Sequence, residues 1–271
     1  MTGLGRTGLG MIAGAGMTPA LSVRGATKRF GAVLALDSFD LDVHHGEVVA
    51  LLGDNGAGKS TLIKCISGVH RLDVGEIEID GVPATINTPA AARAYGIETV
   101  YQDLALFDNL GPAANFFAGR EEAGPSWLPR PMRVLRRRSM VESTTGVLER
   151  LNVSLPDRSA AVGLMSGGQR QVIAVARAAA FASNVVILDE PTAALGLRES
   201  RRVLDLILRL RTEGHAVIVI SHALDHVTEV ADRAVVMRRG RKVGEEIPSH
   251  DTQQRIVALI VGTAVEAVAP P

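Results

Sequence analysis

The most constraining feature of this chain is a glycine-rich segment, Gly53–Thr61, which reads GDNGAGKST. The apolar run Val48–Leu52 precedes it and a helix-competent segment, Lys59–Ser67, follows it. Between a strand and a helix, the pattern GxxxxGK[ST] is typical of a loop that binds phosphate through backbone N–H groups and a helix dipole. A ligand-free turn is the alternative, and the combined strand, spacing, lysine and serine disfavour it. The segment therefore predicts a nucleoside triphosphate site.

Each position of this loop suits phosphate binding. Small residues let the backbone curl closely around an anion. The Lys59 ammonium can reach the β- and γ-phosphates, and the Ser60 hydroxyl can bind Mg²⁺. The residues expected to contact the nucleotide are Gly53, Asp54, Asn55, Gly56, Ala57, Gly58, Lys59, Ser60 and Thr61.

Composition narrows the class of protein. The 271 residues include 46% hydrophobic residues, enough for one large α/β domain. Acidic and basic residues number 29 each, so no chain-wide positive field attracts nucleic acid, and we expect no nucleic-acid partner. The single cysteine, Cys65, fits a reducing cytoplasmic setting. No apolar run approaches the roughly 20 residues of a membrane-spanning helix, so we expect the chain not to cross a membrane.

The pattern of elements predicts an α/β fold. Leu21–Phe30, Phe39–Val43 and Glu76–Asp80 alternate as strands and predict an antiparallel β region. Residues 103–165 show a helical pattern and no strand pattern, which predicts an inserted helical subdomain. Strands and helices then alternate, which predicts a mostly parallel sheet covered on both faces. We expect residues 21–262 to form one domain, after a disordered extension at 1–20, with Met17 as a possible start, and before a frayed tail at 263–271.

Two carboxylates end one of the buried strands. The run Val185–Leu188 leads into Asp189 and Glu190. Beside a phosphate loop, the first carboxylate can hold a metal or its water shell, and the second can polarise an attacking water. An acidic pair that only caps an exposed strand end is the alternative, and the upstream phosphate loop disfavours it. The pair therefore predicts hydrolysis of the bound triphosphate.

A second anion-binding pattern opens the helix that begins near residue 167. Ser166, Gly167, Gly168 and Gln169 place a hydroxyl and free N–H groups at a helix N-terminus. One nucleotide does not need two such sites from one subunit. We therefore expect these four residues to contact a nucleotide bound to a second subunit.

Taken together, the motifs resemble those of an ATP-binding cassette subunit of a membrane transporter, over roughly Leu21–Val261. That family's P-loop NTPase core carries an antiparallel β subdomain and a helical subdomain. The motifs stand in the family's order: the phosphate loop, the glutamine loop VYQD, the signature MSGGQ, the acidic strand VVILDE and the switch histidine in ISH.

The resemblance implies roles for individual residues. Phe30 would stack on adenine, with anchorage of a strand end as the alternative. Gln102 would complete Mg²⁺ coordination, with Ser60 and Asp189, and sense the γ-phosphate. Glu190 would be the catalytic base, and His222 would bridge the γ-phosphate and the opposite subunit. The histidines without such context, His44, His45 and His226, are interpreted as surface residues.

Two positions depart from the family pattern. Met165 stands where the family usually has Leu, and Gly196 stands where many relatives have an interface Asp. The Gly196 loop and the segments Tyr101–Asp103 and Asn115–Glu121 look similar to cassettes of bacterial monosaccharide importers of the ribose and fructose type. That likeness implies ATP and Mg²⁺ as cofactors, and a homodimer at the cytoplasmic face of the inner membrane. Its expected partners are permease subunits and, indirectly, a periplasmic solute-binding protein. An amino-acid importer and a soluble cassette protein without a permease are the alternatives.

Overall fold

A computed structural model describes residues 18–124, 127, 129, 133–155 and 157–263. The expected N-terminal extension up to residue 17 and the tail from residue 264 lie outside the described residues. Ala20 is fully buried, and its carbonyl accepts a hydrogen bond from Asp80 N at 3.2 Å. Ordered packing therefore begins before Leu21. Within the described part of the chain, no helix is both long and apolar enough to span a bilayer.

The predicted parallel sheet is present, and it has six strands in the order β12-β11-β3-β10-β9-β6. All neighbours run parallel except β12, which pairs antiparallel with β11. Buried, β-branched runs form the central strands because both faces of the sheet are covered. The strands are β3 (Val48–Leu52), β6 (Ile97–Val100), β9 (Val185–Asp189), β10 (Ala216–Ile220), β11 (Arg233–Arg238) and β12 (Arg241–Glu246).

The predicted antiparallel region is a separate four-stranded sheet in the order β2-β1-β4-β5. Its second strand begins at Val33 and not at Phe39, because a tight turn at Gly31, with φ 57°, folds it directly back on the first strand. The strands are β1 (Leu21–Phe30), β2 (Val33–Val43), β4 (Val74–Ile79) and β5 (Val82–Pro83).

The helix predicted at Lys59–Ser67 is present as α1, Lys59–Ile66. Thr88 caps the N-terminus of α2 by accepting a hydrogen bond from Ala91 N at 3.2 Å, and Pro89 takes the first helical position. The helices are α1 (Lys59–Ile66), α2 (Pro89–Ala94), α3 (Pro112–Phe116), α4 (Arg137–Arg150), α5 (Gly167–Phe181), α6 (Leu197–Thr212), α7 (Leu224–Val230) and α8 (Gln253–Val261).

The segment expected to be helical, residues 103–165, also contains a short strand pair, β7 (Ala123–Gly124) with β8 (Val134–Leu135). Strands of two residues carry no periodic signal, so the sequence did not reveal them. The segment shares one apolar core with α5, α6 and the central sheet: Phe116, Leu148 and Val162 belong to the same buried cluster as Ile173. The helical lobe is therefore packed onto the signature helix α5.

Candidate functional site

The phosphate loop connects β3 to α1 in a conformation that requires glycine. Gly53 has φ 151°, and a Cβ there would lie 2.2 Å from the carbonyl oxygen of Met237. Gly58, the N-cap residue of α1, has φ 109°, and a Cβ there would lie 2.6 Å from the carbonyl oxygen of Ala35. Because β11 and β2 press against the loop, only hydrogen fits at these two positions.

Lys59 lies inside the curl of the loop. Its Nζ donates to the carbonyl oxygens of Gly53 and Asp54, at 2.7 and 3.0 Å. Burial lowers the pKa of Lys59, and the carboxylates of Glu190 and Asp189 oppose that shift. The ammonium is thus held close to the acidic pair and to the backbone that the sequence predicts to bind phosphate.

Sheet register brings the other motifs to the same edge. Ile220, the last residue of β10, is paired with both Leu51 of β3 and Asp189 of β9. Three adjacent strands, β3, β10 and β9, therefore end at the same height in the sheet. The phosphate loop, His222 and the acidic pair lie at these three strand ends. Val100 of β6 is paired with Leu188, so the glutamine loop leaves the sheet at that level too. The carboxyl edge of a parallel sheet is where ligands of such folds bind.

Glu190 is held in an uncommon backbone conformation at this edge. Its φ is 51°, in the left-handed region, and its N–H donates to the Ile220 carbonyl at 2.9 Å. The His222 Nε2 lies 3.3 Å from Glu190 Oε1, within ion-pair distance, and this buried oxygen accepts no hydrogen bond from the described residues. Burial raises the pKa of Glu190, and the charge of His222 opposes the rise. A carboxylate oxygen that accepts no hydrogen bond, on a group of raised pKa, is suited to accept a proton from water.

Asp189 and Gln102 differ in their surroundings. Burial raises the pKa of Asp189, and Lys59 is the main charge that opposes the rise. Gln102 is exposed beyond the end of β6. The preceding residue, Tyr101, shares a hydrogen bond of 2.7 Å between its hydroxyl and the Oγ of Ser67, at the end of α1. The glutamine loop is thus attached to the helix that follows the phosphate loop.

The signature residues begin α5. The Ser166 Oγ accepts from Gln169 N at 3.3 Å, and Gln169 Oε1 accepts from Ser166 N at 2.9 Å. This reciprocal pair is a capping box, and it explains why the helix begins at Gly167. Within the described residues, no hydrogen bond joins the segment to the phosphate loop of its own chain.

Phe30 ends β1 with 43% of its surface exposed. Its ring meets the His70 ring edge-on, with the centroids 5.2 Å apart. The Lys28 ammonium lies 5.6 Å from its centroid. A residue that anchored a strand end would be buried, so this exposure favours the stacking role.

One residue near the site was misread from the sequence. His226 was interpreted as a surface residue, but it is half-buried, and its Nδ1 lies 3.0 Å from the Oγ1 of Thr192. This contact joins α7 to the loop that follows Glu190.

The departure at Gly196 has a local explanation. Gly196 is the N-cap of α6, and a Cβ there would lie 2.8 Å from the Glu199 Oε2. The stem of Glu199 also packs against Gly168, where a Cβ would lie 2.2 Å from its Cγ. The space beside Gly196 is thus occupied by a carboxylate from the next helical turn.

The sequence model of the ABC transporter family matches residues 36–193. This chain belongs to the ABC transporter family. It is an ATP-binding cassette, and as such it binds ATP and acts as an ATPase. Its fold, with a mostly parallel sheet, an antiparallel sheet and a helical lobe, agrees with the predicted class.

Several proteins of the ABC family are similar to this cassette over most of its length. The fructose import ATP-binding protein of Rhizobium meliloti is 49% identical over 245 residues, covering 90% of this chain and 94% of that protein. The xylose/arabinose import ATP-binding protein of Sulfolobus acidocaldarius is 41% identical over 93% of this chain and 98% of that protein. A ribose import ATP-binding protein of Rubrobacter xylanophilus is 42% identical, and the match spans 49% of its length.

A solved structure supports the ABC fold independently. The crystal structure of a nucleotide-free ATP-binding cassette from an ABC transporter aligns with a TM-score of 0.76 and 26% identity. The alignment covers 89% of this chain and 98% of that one.

Proposed function

We propose that this cassette hydrolyses ATP to drive import of a monosaccharide such as fructose, xylose or ribose through a membrane permease. The observation that carries the proposal is the shared level at which the phosphate loop, Asp189–Glu190 and His222 leave adjacent strands. The cargo is supported by the likeness to fructose, xylose/arabinose and ribose import proteins.

In the proposed reaction, residues of the sheet edge act on the γ-phosphate and a water. Lys59 binds the β- and γ-phosphates once ATP replaces the loop carbonyls as its partner. The Glu190 oxygen that accepts no hydrogen bond takes a proton from the attacking water, and His222 contacts the γ-phosphate. The left-handed backbone of Glu190 aims this carboxylate without a rearrangement of the strand.

The proposed metal is Mg²⁺, held by Asp189, the Ser60 hydroxyl and the Gln102 amide oxygen. These donors are all oxygen, which suits a hard cation that keeps several waters. The raised pKa of Asp189 fits the same role, because a nearby cation would offset the burial of its charge. When bound, Mg²⁺ would neutralise charge that develops on the phosphates.

We propose that two copies of the chain face each other, so that Ser166, Gly167, Gly168 and Gln169 of one copy meet the nucleotide of the other. Ser166 and Gly167 are exposed, although they lie at a helix N-terminus suited to anions. Closure around ATP would then be the movement that drives the permease.

The permease is proposed to dock in a groove of the helical lobe. The groove has a volume of about 800 Å³ and is lined largely by apolar side chains, among them Phe107, Leu110, Phe117 and Val141. Phe107 and Val141 are 52% and 51% exposed, an unusual state for large apolar side chains so close together. The groove adjoins the glutamine loop, so a permease segment seated here would follow its movement. The cassette would then lie at the cytoplasmic face of the membrane, with a solute-binding protein on the other side.

Transport by the reconstituted complex tests the proposal. The cassette, its permease and its solute-binding protein would be placed in vesicles with internal ATP and offered labelled fructose, xylose, ribose or amino acids. We expect ATP-dependent uptake of one of the sugars, and none with Lys59→Ala. Uptake of amino acids alone would establish the first alternative. A cassette that turns over ATP but has no permease in its cells would establish the second.

A further inference from the structure

A guanidinium holds the loop that contains Gln102. Arg177, on the signature helix α5, donates from Nη2 to the carbonyl oxygen of Leu104 and from Nη1 to that of Ala105, both at 3.0 Å. The loop is turned sharply here, since Ala105 has φ 48°. A non-glycine residue keeps this conformation only where surrounding contacts enforce it. A planar fork fits two successive carbonyls in a way that a lysine ammonium cannot.

A second tie joins the same loop to the beginning of α5. Arg170 precedes Arg177 by seven residues, or two turns, so both side chains leave one face of the helix. The Arg170 Nη1 lies 3.6 Å from the Asp108 Oδ1. The Asp108 carbonyl accepts from Gly163 N at 2.8 Å, three residues before Ser166. The glutamine loop is thus fastened along α5 up to the signature motif.

Arg177 also interacts electrostatically with a residue of the central sheet. Burial lowers the pKa of Arg177, and the Glu98 carboxylate on β6 is the charge that opposes this. Glu98 accepts two hydrogen bonds from Arg120, at 2.9 and 3.0 Å, and the Arg120 guanidinium lies 4.2 Å from the centroid of Phe181 on α5. Charged side chains therefore link β6, the strand that leads to Gln102, with α5, the helix that begins at the signature.

We propose that Arg177 is a positioning residue that makes the Gln102 loop and the signature helix move as one body. When Gln102 moves toward the γ-phosphate, the loop carbonyls move with it, and their hydrogen bonds to Arg177 move α5 as well. The signature therefore reaches the nucleotide of the second copy only when ATP is bound. This inference rests on the roles proposed above for Gln102 and for Ser166–Gln169. In this proposal Arg177 acts through the loop carbonyls and does not itself contact the nucleotide or the attacking water.

The test compares Arg177→Lys and Arg177→Met in the full chain. Methionine keeps an apolar stem in the core, and lysine keeps the charge but can reach one carbonyl at most. Arg150→Lys is the matched control, because that guanidinium lies 3.7 Å from Glu213, away from the loop. Three quantities would be measured: ATP affinity by titration, kcat for ATP hydrolysis, and ATP-dependent amide exchange in residues 103–108 and 166–176.

We expect both Arg177 variants to bind ATP with unchanged affinity and to lose about tenfold or more in kcat, with Met worse than Lys, as loss of a charge-assisted hydrogen bond implies. ATP should still protect residues 103–108 but no longer 166–176. Equal protection of both segments in Arg177→Met, or a kcat like that of Arg150→Lys, would overturn the proposal. A thermal melt of each variant distinguishes misfolding from loss of coupling, and Arg177→Lys is the variant that perturbs folding less. If Gln102→Ala left kcat intact, the proposed role of Gln102 would fail first, independently of Arg177.

Discussion

The phosphate loop contains two glycines whose substitution by alanine should differ in cost. Gly53 and Gly56 both have positive φ, 151° and 81°, so alanine is strained at either position. A Cβ at Gly56 meets nothing within 4 Å, whereas one at Gly53 would lie 2.2 Å from the Met237 carbonyl oxygen and 3.0 Å from the Ala57 Cβ. The pair therefore separates backbone strain from steric overlap.

Backbone strain at one residue costs about 1–2 kcal/mol, and overpacking against fixed atoms adds about 1–3 kcal/mol. We expect Gly56→Ala to lower the free energy of unfolding by about 1–2 kcal/mol and Gly53→Ala by about 2–5 kcal/mol. Urea unfolding without nucleotide measures both. With a slope of about 3 kcal/mol per molar, the two midpoints should differ by about 0.3–1 M. Equal midpoints would refute the claim that β11 presses on the loop at Gly53.

Three further predictions concern charge. Lys59→Ala should weaken ATP binding by about ten- to a hundredfold, because a charged donor to phosphate is lost, while Lys242→Ala should not change a nucleotide titration. As pH is lowered, kcat should begin to fall at a pH above 4.5, the usual pKa of Glu, because burial raises the pKa of Glu190 and a base acts only when ionised. Activity that persists below pH 4.5 would contradict this. Glu98→Ala should lower the free energy of unfolding by about 2–4 kcal/mol in urea, since it leaves a largely buried guanidinium unpaired, while Glu142→Ala, from an exposed pair, should have no measurable effect.

Much of the fold was predictable because its central strands are short apolar runs between helices with clear periodicity. The predicted alternation of strands and helices after the helical segment is present, and α6 and β10 are two of its elements. The edge strand β12 was not predicted, since its residues are mostly charged and exposed, as is typical of an edge strand that avoids pairing with another chain. This strand forms because it pairs with β11, and that pairing depends on tertiary structure that the local sequence does not show.

The site was predictable to the level of its motifs, because each motif carries its chemistry in a contiguous run. Contacts between distant runs could not be read in the same way. The hydrogen bonds of Arg177 span 72 and 73 residues, and that between His226 and Thr192 spans 34. The sequence places these residues on their elements, but sheet order and helix packing decide which of them meet.

The central claim is that Glu190 activates the water that attacks bound ATP. Glu190→Gln keeps the shape of the side chain and removes its basicity, so single-turnover hydrolysis and an ATP titration test the claim directly, with Glu142→Gln as the control for an exposed glutamate. We predict that kcat falls by about 10²–10⁴-fold, that ATP affinity is kept, and that an ATP-bound dimer accumulates in size-exclusion chromatography. Turnover within severalfold of the unmodified chain would contradict the account.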